Sequence, residues 1–221
     1  APASGSDYFI LTLGSTVSIG TPSDNTVATA KIQNLAVTTD KLANNSVTAA
    51  KLADNAIASD AQYNTIAGTN AGDSFSGTDA TNNTCFGYNA GTAITTGDYN
   101  VAIGDDSLSA NTTGIRNTAL GSYALDANTI GNYNVAVGQS ALSANTEGEH
   151  NVAVGRRALN ANTTADRNIA IGGDALYANT TGNSNVAVGD NALSANTTGD
   201  KNTAIGRDAL NVNTTADDNT A

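Results

Sequence analysis

The sequence predicts an all-β fold, a parallel β-solenoid built from coils of 17 residues. Three observations carry that reading. An asparagine recurs every 17 residues, at Asn100, Asn117, Asn134, Asn151, Asn168, Asn185, Asn202 and Asn219, and opens the pattern N-x-A-x-G in every complete copy. Seventeen residues are too few for a helix pair and suit one coil whose strand pairs with the next at about 4.8 Å. The composition agrees. Charged residues make up 13% and aromatic residues 5%, Met and Trp are absent, and no proline follows Pro22. A typical soluble domain carries about 25% charge. A chain rich in Asn, Thr, Gly and Ala is a poor helix former, and its Ala, Val and Ile content is foreign to disorder.

The first 26 residues stand outside any repeat. Asp7-Tyr-Phe-Ile-Leu-Thr-Leu-Gly14 and Ser15-Thr-Val-Ser-Ile-Gly20 read as two short strands bounded by turn residues. Tyr8, Phe9, Ile10 and Leu11 form the longest apolar patch of the segment and are its candidate attachment residues. A start at Ala1-Pro2 fits removal of an initiator Met or of a leader.

A second repeat comes next, with a period of ten residues: Val27-Ala-Thr-Ala-Lys-Ile-Gln-Asn-Leu-Ala, Val37-Thr-Thr-Asp-Lys-Leu-Ala-Asn-Asn-Ser and Val47-Thr-Ala-Ala-Lys-Leu-Ala-Asp-Asn-Ala. Lys31, Lys41 and Lys51 sit in register, and a degenerate copy opens at Ile57.

Residues 63–221 carry the 17-residue array. Asn83 stands one period before Asn100, and Asn64 opens an irregular copy set apart by a step of 19. Within a unit the second and fourth residues (Val101 and Ile103, for example) share one face of a short strand, and the alanine between them points to the other. Both faces are apolar or small, which fits a strand covered on one side by its own coil and on the other by a neighbouring chain. Leu108, Leu125, Leu142, Leu159, Leu176, Leu193 and Leu210 supply one large core residue per coil. Glycine ends each strand, and Gly or Ala ends each unit, where tight turns are expected. Two residues after each strand glycine and two before each Asn vary freely, so they read as solvent-facing.

The recurring asparagines read as ladders, their amides bonding to one another and to turn backbone. One column runs Asn100, Asn117, Asn134, Asn151, Asn168, Asn185, Asn202; a second runs Asn111, Asn128, Asn145, Asn162, Asn179, Asn196, Asn213. Seven such coils would rise roughly 34 Å. The array breaks off at Asn219-Thr-Ala221, three residues into another copy, and the full chain is expected to continue.

Residues with chemistry of their own are few. Cys85, the single cysteine, takes the place of an alanine in the motif and reads as a small buried side chain. His150, the single histidine, sits at a variable site. Neither a catalytic triad nor a His-rich metal site is available from that inventory. The acid pairs Asp105-Asp106 and Asp217-Asp218 do not recur with the period and read as solvated surface. The calcium-binding signature G-G-x-G-x-D is missing. No catalytic, cofactor or metal residue is assigned. The threonine file from Thr112 to Thr214 could order water, as ice-binding solenoids do, or could be structural. Five Asn-Thr-Thr sequons occupy the second asparagine column, where a laddered amide would be closed to glycosylation. A net charge of −11 argues against nucleic acid and anionic membranes as partners, and no apolar run approaches the roughly 20 residues of a spanning helix.

The N-x-A-[ILV]-G units resemble the head repeats of trimeric autotransporter adhesins, and the longer unit N-[TV]-A-[IV]-G-x-x-A-L-x-A-N-T-T-G resembles arrays in bacteriophage tail fibres. The upstream V-T-T-D-K-L-A-N-N-S-V-T-A-A-K-L-A-D-N-A is similar to tail-fibre stalk repeats. The resemblance implies a left-handed parallel β-roll, homotrimeric association and a non-enzymatic virion fibre. Residues 1–26 would attach it to a baseplate or tail, residues 27–62 would form an intertwined stalk, and residues 63–221 a shaft whose unseen distal end meets a host receptor. A cell-surface adhesin or extracellular filament shares the fold, and a polysaccharide depolymerase would need a carboxylate cleft that these residues lack.

Overall fold

A computed structural model of the chain describes residues 58–75 and 79–221. The chain divides into two compact units, Ala1–Val47 and Thr48–Ala221, and the described residues all belong to the second. The proposed attachment residues Tyr8 to Leu11 and nearly all of the ten-residue repeats lie outside the described residues.

The second unit is a parallel β-solenoid of about eight coils, with no helix among the described residues. Its strands are β1 (Ala58–Ser59), β2 (Thr65–Ala67), β3 (Thr84–Phe86), β4 (Val101–Ile103), β5 (Thr118–Leu120), β6 (Val135–Val137), β7 (Val152–Val154), β8 (Ile169–Ile171), β9 (Val186–Val188) and β10 (Thr203–Ile205). They form one sheet in sequence order. From β2 onward every pair is parallel with equivalent motif positions side by side, as in Thr118↔Val135 and Ala119↔Ala136. The in-register stacking results from the period: a slip would move alanines outward and larger side chains into the narrow interior.

The interior is small. The strand alanines from Ala102 to Ala204 are fully buried, as are the leucines from Leu108 to Leu193. Burying each leucine contributes roughly 1.5–3 kcal/mol. Leu210, in the last coil, is only partly buried. The coil opened by Asn83 solves the same packing differently. Gly91 stands where other coils have leucine, and Ile94 stands where they have the second asparagine. A Cβ on Gly91 would come within 2.6 Å of the Cys85 Sγ and 2.9 Å of the Ile94 Cδ1. Ile94 therefore fills the leucine space, and the missing side chain at Gly91 makes room for a thiol larger than alanine.

The corners have an unexpected backbone. Each coil from Asn100 onward places three non-glycine residues at positive φ; in the coil of Asn134 they are Ser140 (55°), Leu142 (52°) and His150 (58°). Left-handed backbone costs a branched apolar residue roughly 1–2 kcal/mol. The leucine accepts it because full burial and the backbone bond from Leu142 N–H to the Ala158 carbonyl, at 3.0 Å, hold it there.

At the N-terminal end, β1 runs antiparallel to β2, with Ala58↔Ile66 and Ser59↔Thr65. Residues 58–62, at the end of the expected stalk, take part in this hairpin. The Asp60 carboxylate accepts the backbone N–H groups of Gln62 and Asn64, both at 2.9 Å, and the Asn64 Nδ2 at 2.7 Å. In later coils a preceding asparagine supplies that acceptor, as Asn64 Oδ1 does for the Asn83 N–H. Asp60 thus closes the column where no earlier asparagine of the array exists.

Candidate functional surface

The asparagines opening each motif are fully buried from Asn64 to Asn202. Each accepts from the next coil and donates within its own. Asn134 Oδ1 accepts the Asn151 backbone N–H at 3.0 Å, and Asn134 Nδ2 donates to the Gly148 carbonyl at 2.7 Å. The second column bonds amide to amide. Asn128 Nδ2 donates to Asn111 Oδ1 at 2.7 Å, and the contacts continue through Asn145, Asn162, Asn179, Asn196 and Asn213. Both columns converge on one carbonyl, since Asn145 Nδ2 also donates to Gly148 O, at 3.1 Å. The asparagines of four sequons, Asn111, Asn162, Asn179 and Asn196, are fully buried with their Nδ2 atoms donating hydrogen bonds.

The threonine file is structural in its bonding. Thr129 Oγ1 donates to the Thr146 carbonyl at 3.0 Å, and Thr112, Thr146, Thr163, Thr180 and Thr197 repeat the contact one coil on.

A third column is not apparent from the sequence. The residue two before each motif asparagine is expected to be free surface. It is instead partly buried in most coils, and its side chain caps backbone. Asp98 Oδ1 accepts Thr81 N–H at 2.7 Å, Asn132 accepts Ile115 N–H at 2.8 Å, and Asp166, Asn183, Asp200 and Asp217 repeat the bond at 2.6–2.8 Å. The polarity is opposite to the first column: here each side chain reaches back to the preceding coil. The signal is present as residue class, because Asp or Asn fills six of the eight positions in register from 98 to 217, but residue identity alternates and hides it.

The immediate neighbour does face solvent. Tyr99, Arg116, Tyr133, His150, Arg167 and Lys201 form an exposed ridge. The Arg116 guanidinium lies 5.3 Å from the Tyr99 ring centre and 5.4 Å from that of Tyr133, and its Nη1 donates to the Tyr133 hydroxyl at 2.8 Å. Tyr133 stacks on His150 at 5.0 Å. Across the strand, the residues after the glycine form a charged flank that includes Asp105, Asp106, Arg156, Arg157, Asp174 and Asp190. Arg156 and Arg157 both reach Asp174, at 3.2 Å and 2.8 Å, and the bond to Asp174 raises the Arg157 pKa.

Between ridge and flank lies the outer face of the sheet. Ile103, Leu120, Ile169, Ile171 and Ile205 are all more than a third exposed. Across β3–β10 the outward positions hold only Val, Ile, Leu, Phe and Thr.

Groups with reactive potential are dispersed. Cys85 is fully buried, and burial pushes its thiol up to about 12. Among the described residues, no three His, Cys, Asp or Glu side chains come together to hold a metal ion, and no helix is long and apolar enough to cross a membrane. No protein-family model, curated protein or solved structure matches this chain.

Proposed function

We propose that the solenoid is the shaft of a virion tail fibre or spike, a stiff spacer of three copies that presents a binding tip to a host cell and performs no catalysis itself. The observation that carries this reading is the redundancy of bonding between coils. Most coils are tied to the next through the strand, the two asparagine columns, the threonine hydroxyls and the backward-reaching carboxylate or amide column. Such a stack resists bending, because any bend must stretch several ordered bonds in the same coil. In this reading the coils wind left-handed, residues 1–26 join the fibre to a baseplate or tail, and residues 27–62 form the stalk.

The outer apolar face supports association, since Ile103, Leu120, Ile169, Ile171 and Ile205 leave exposed apolar surface along one continuous strip of the sheet. Sedimentation equilibrium of the purified chain is expected to give three times the chain mass. Gold-labelled antibody against residues 100–218 is expected to mark thin fibres on virus particles. Labelling of a bacterial envelope would instead assign the shaft to a cell-surface adhesin. Release of reducing sugar from capsular polysaccharide by the purified chain would overturn the non-enzymatic part of the reading.

A further inference from the structure

The apolar strip has charged borders, and the borders differ. We infer that copies of this chain pack parallel and in axial register through the outer faces of β3–β10, with the Tyr–Arg–His ridge of one copy against the charged flank of the next, whose arginines Arg156, Arg157 and Arg207 are already paired to its own aspartates. This rests on the shaft reading for the existence of an assembly, but not for its face or polarity.

The occupant of the strip is identified by repeat and by charge. The side chains of the strip recur at one coil spacing along eight strands, so only a partner with the same axial repeat can meet it coil after coil. A second copy has that repeat. The strip itself bears no charge on a chain of net charge −11, which removes the like-charge penalty of bringing two copies together there.

The borders decide polarity. Rotation about an axis parallel to the solenoid, the operation of a three-copy shaft, places the ridge of one copy beside the flank of its neighbour. A two-fold axis across the solenoid places ridge against ridge. Ridge against ridge sets Arg116, Arg167 and Lys201 among their own kind. Ridge against flank sets Arg116 beside Asp105 and Asp106, and Lys201 beside Asp190, because closed rotational symmetry allows no axial offset. Neither Arg116 nor Lys201 forms an ion pair among the described residues, and Arg116 gives Tyr133 only one of its guanidinium N–H groups. Two same-coil contacts bring like charges together: Arg167 against Arg156 and Arg157, where Asp174 already holds both arginines, and Asp218 against Asp208, where Arg207 already pairs with Asp208.

Two single-cysteine proteins test this, Ile103→Cys and Val188→Cys, each in a Cys85→Ala background. The two positions lie five coils apart, about 24 Å. Each protein is to be treated with a short bismaleimide, alone and mixed, after circular dichroism has shown the native spectrum. In a parallel in-register assembly each protein crosslinks to itself, and the mixture gives no product joining position 103 to position 188. In an antiparallel assembly neither crosslinks alone and the mixture does. Arg116→Glu is expected to weaken association at least tenfold, and Asp105→Lys with Asp106→Lys in the same chain to restore it.

Wild-type protein that sediments as a monomer would sink both the shaft reading and this inference. An assembled wild type whose cysteine variants fail to self-crosslink would sink only the inference. Self-crosslinking with association indifferent to Arg116→Glu would overturn the ridge-to-flank contact.

Discussion

Asn134 shows why a buried amide can be worth more to this chain than a leucine of similar size. Its Oδ1 is the acceptor for Asn151 N–H and its Nδ2 a donor to Gly148 O. Asn134→Ala leaves a buried N–H without its acceptor and removes one of two side-chain donors to Gly148 O, so about 2–4 kcal/mol of stability should be lost in urea denaturation. Asp126 is the opposite case. Desolvation raises its carboxyl pKa above 3.8, with the nearby charge of Asp106 adding to the effect, and its Oδ1 is buried without a hydrogen-bond partner. Because the folded pKa lies above the unfolded one, the cost is absent well below pH 3.8 and grows as pH rises through the folded pKa. Two coils further on, Asn160 at the same motif position donates to Ser140 O and Ser143 Oγ. Asp126→Asn has Asp106 O and Ser109 Oγ in the equivalent places. Thermal unfolding should therefore shift upward by about 2 °C at pH 7, a gain that shrinks in acid; an equal gain at pH 3 would refute the electrostatic account.

At the scale of the coil, two kinds of glycine look alike in sequence. Gly138 ends a strand at φ 132°, and a Cβ there would lie 2.5 Å from the Gly155 carbonyl oxygen. Gly148 ends a unit without a positive φ, and the same position holds Ala165 and Ala216 in other coils. The first is required for backbone conformation and close stacking together. The second serves close stacking alone, and the stack yields slightly where alanine occurs: Thr163 N–H to Thr180 O measures 3.2 Å against 2.9–3.0 Å in the three coils before it. Gly138→Ala should cost several times more stability than Gly148→Ala, roughly 3 kcal/mol against less than about 1 kcal/mol, measured as midpoint shifts under one set of conditions. Comparable losses would show that the two corners are equivalent after all.

For the solenoid as a whole, stability is a sum over coils and their contacts with neighbours. Excision of residues 134–150 joins Tyr133 to Asn151 and leaves every column in register. The shortened protein should keep its β-sheet spectrum and lose only part of its stability, whereas removing half of the same coil should abolish cooperative unfolding. Hydrogen exchange read by mass spectrometry gives the second view. Slowest exchange is expected in the central coils and faster exchange near β10, where Ile205 and Val212 are 64% and 83% exposed. The N-terminal hairpin, capped by Asp60, should exchange more slowly than that open coil.

By itself the sequence determined the coil length, the position of each strand of the 17-residue array, the inward alanine and leucine, and the two asparagine columns, because each is written as the same residue type at the same motif position; the antiparallel β1 lies outside that pattern. Only the tertiary structure decided what depends on side chains of different identity doing the same work. The alternating Asp and Asn column caps backbone because a carboxylate and an amide oxygen accept the same N–H. The Ile94 and Gly91 exchange conserves volume across two positions that no single-column pattern connects. The leucine backbone turns left-handed because burial outweighs local preference. The uncharged strip between a Tyr- and Arg-bearing ridge and a charged flank exists only once the chain is wound, when residues 17 apart become neighbours across the sheet and residues close in sequence are parted onto different faces.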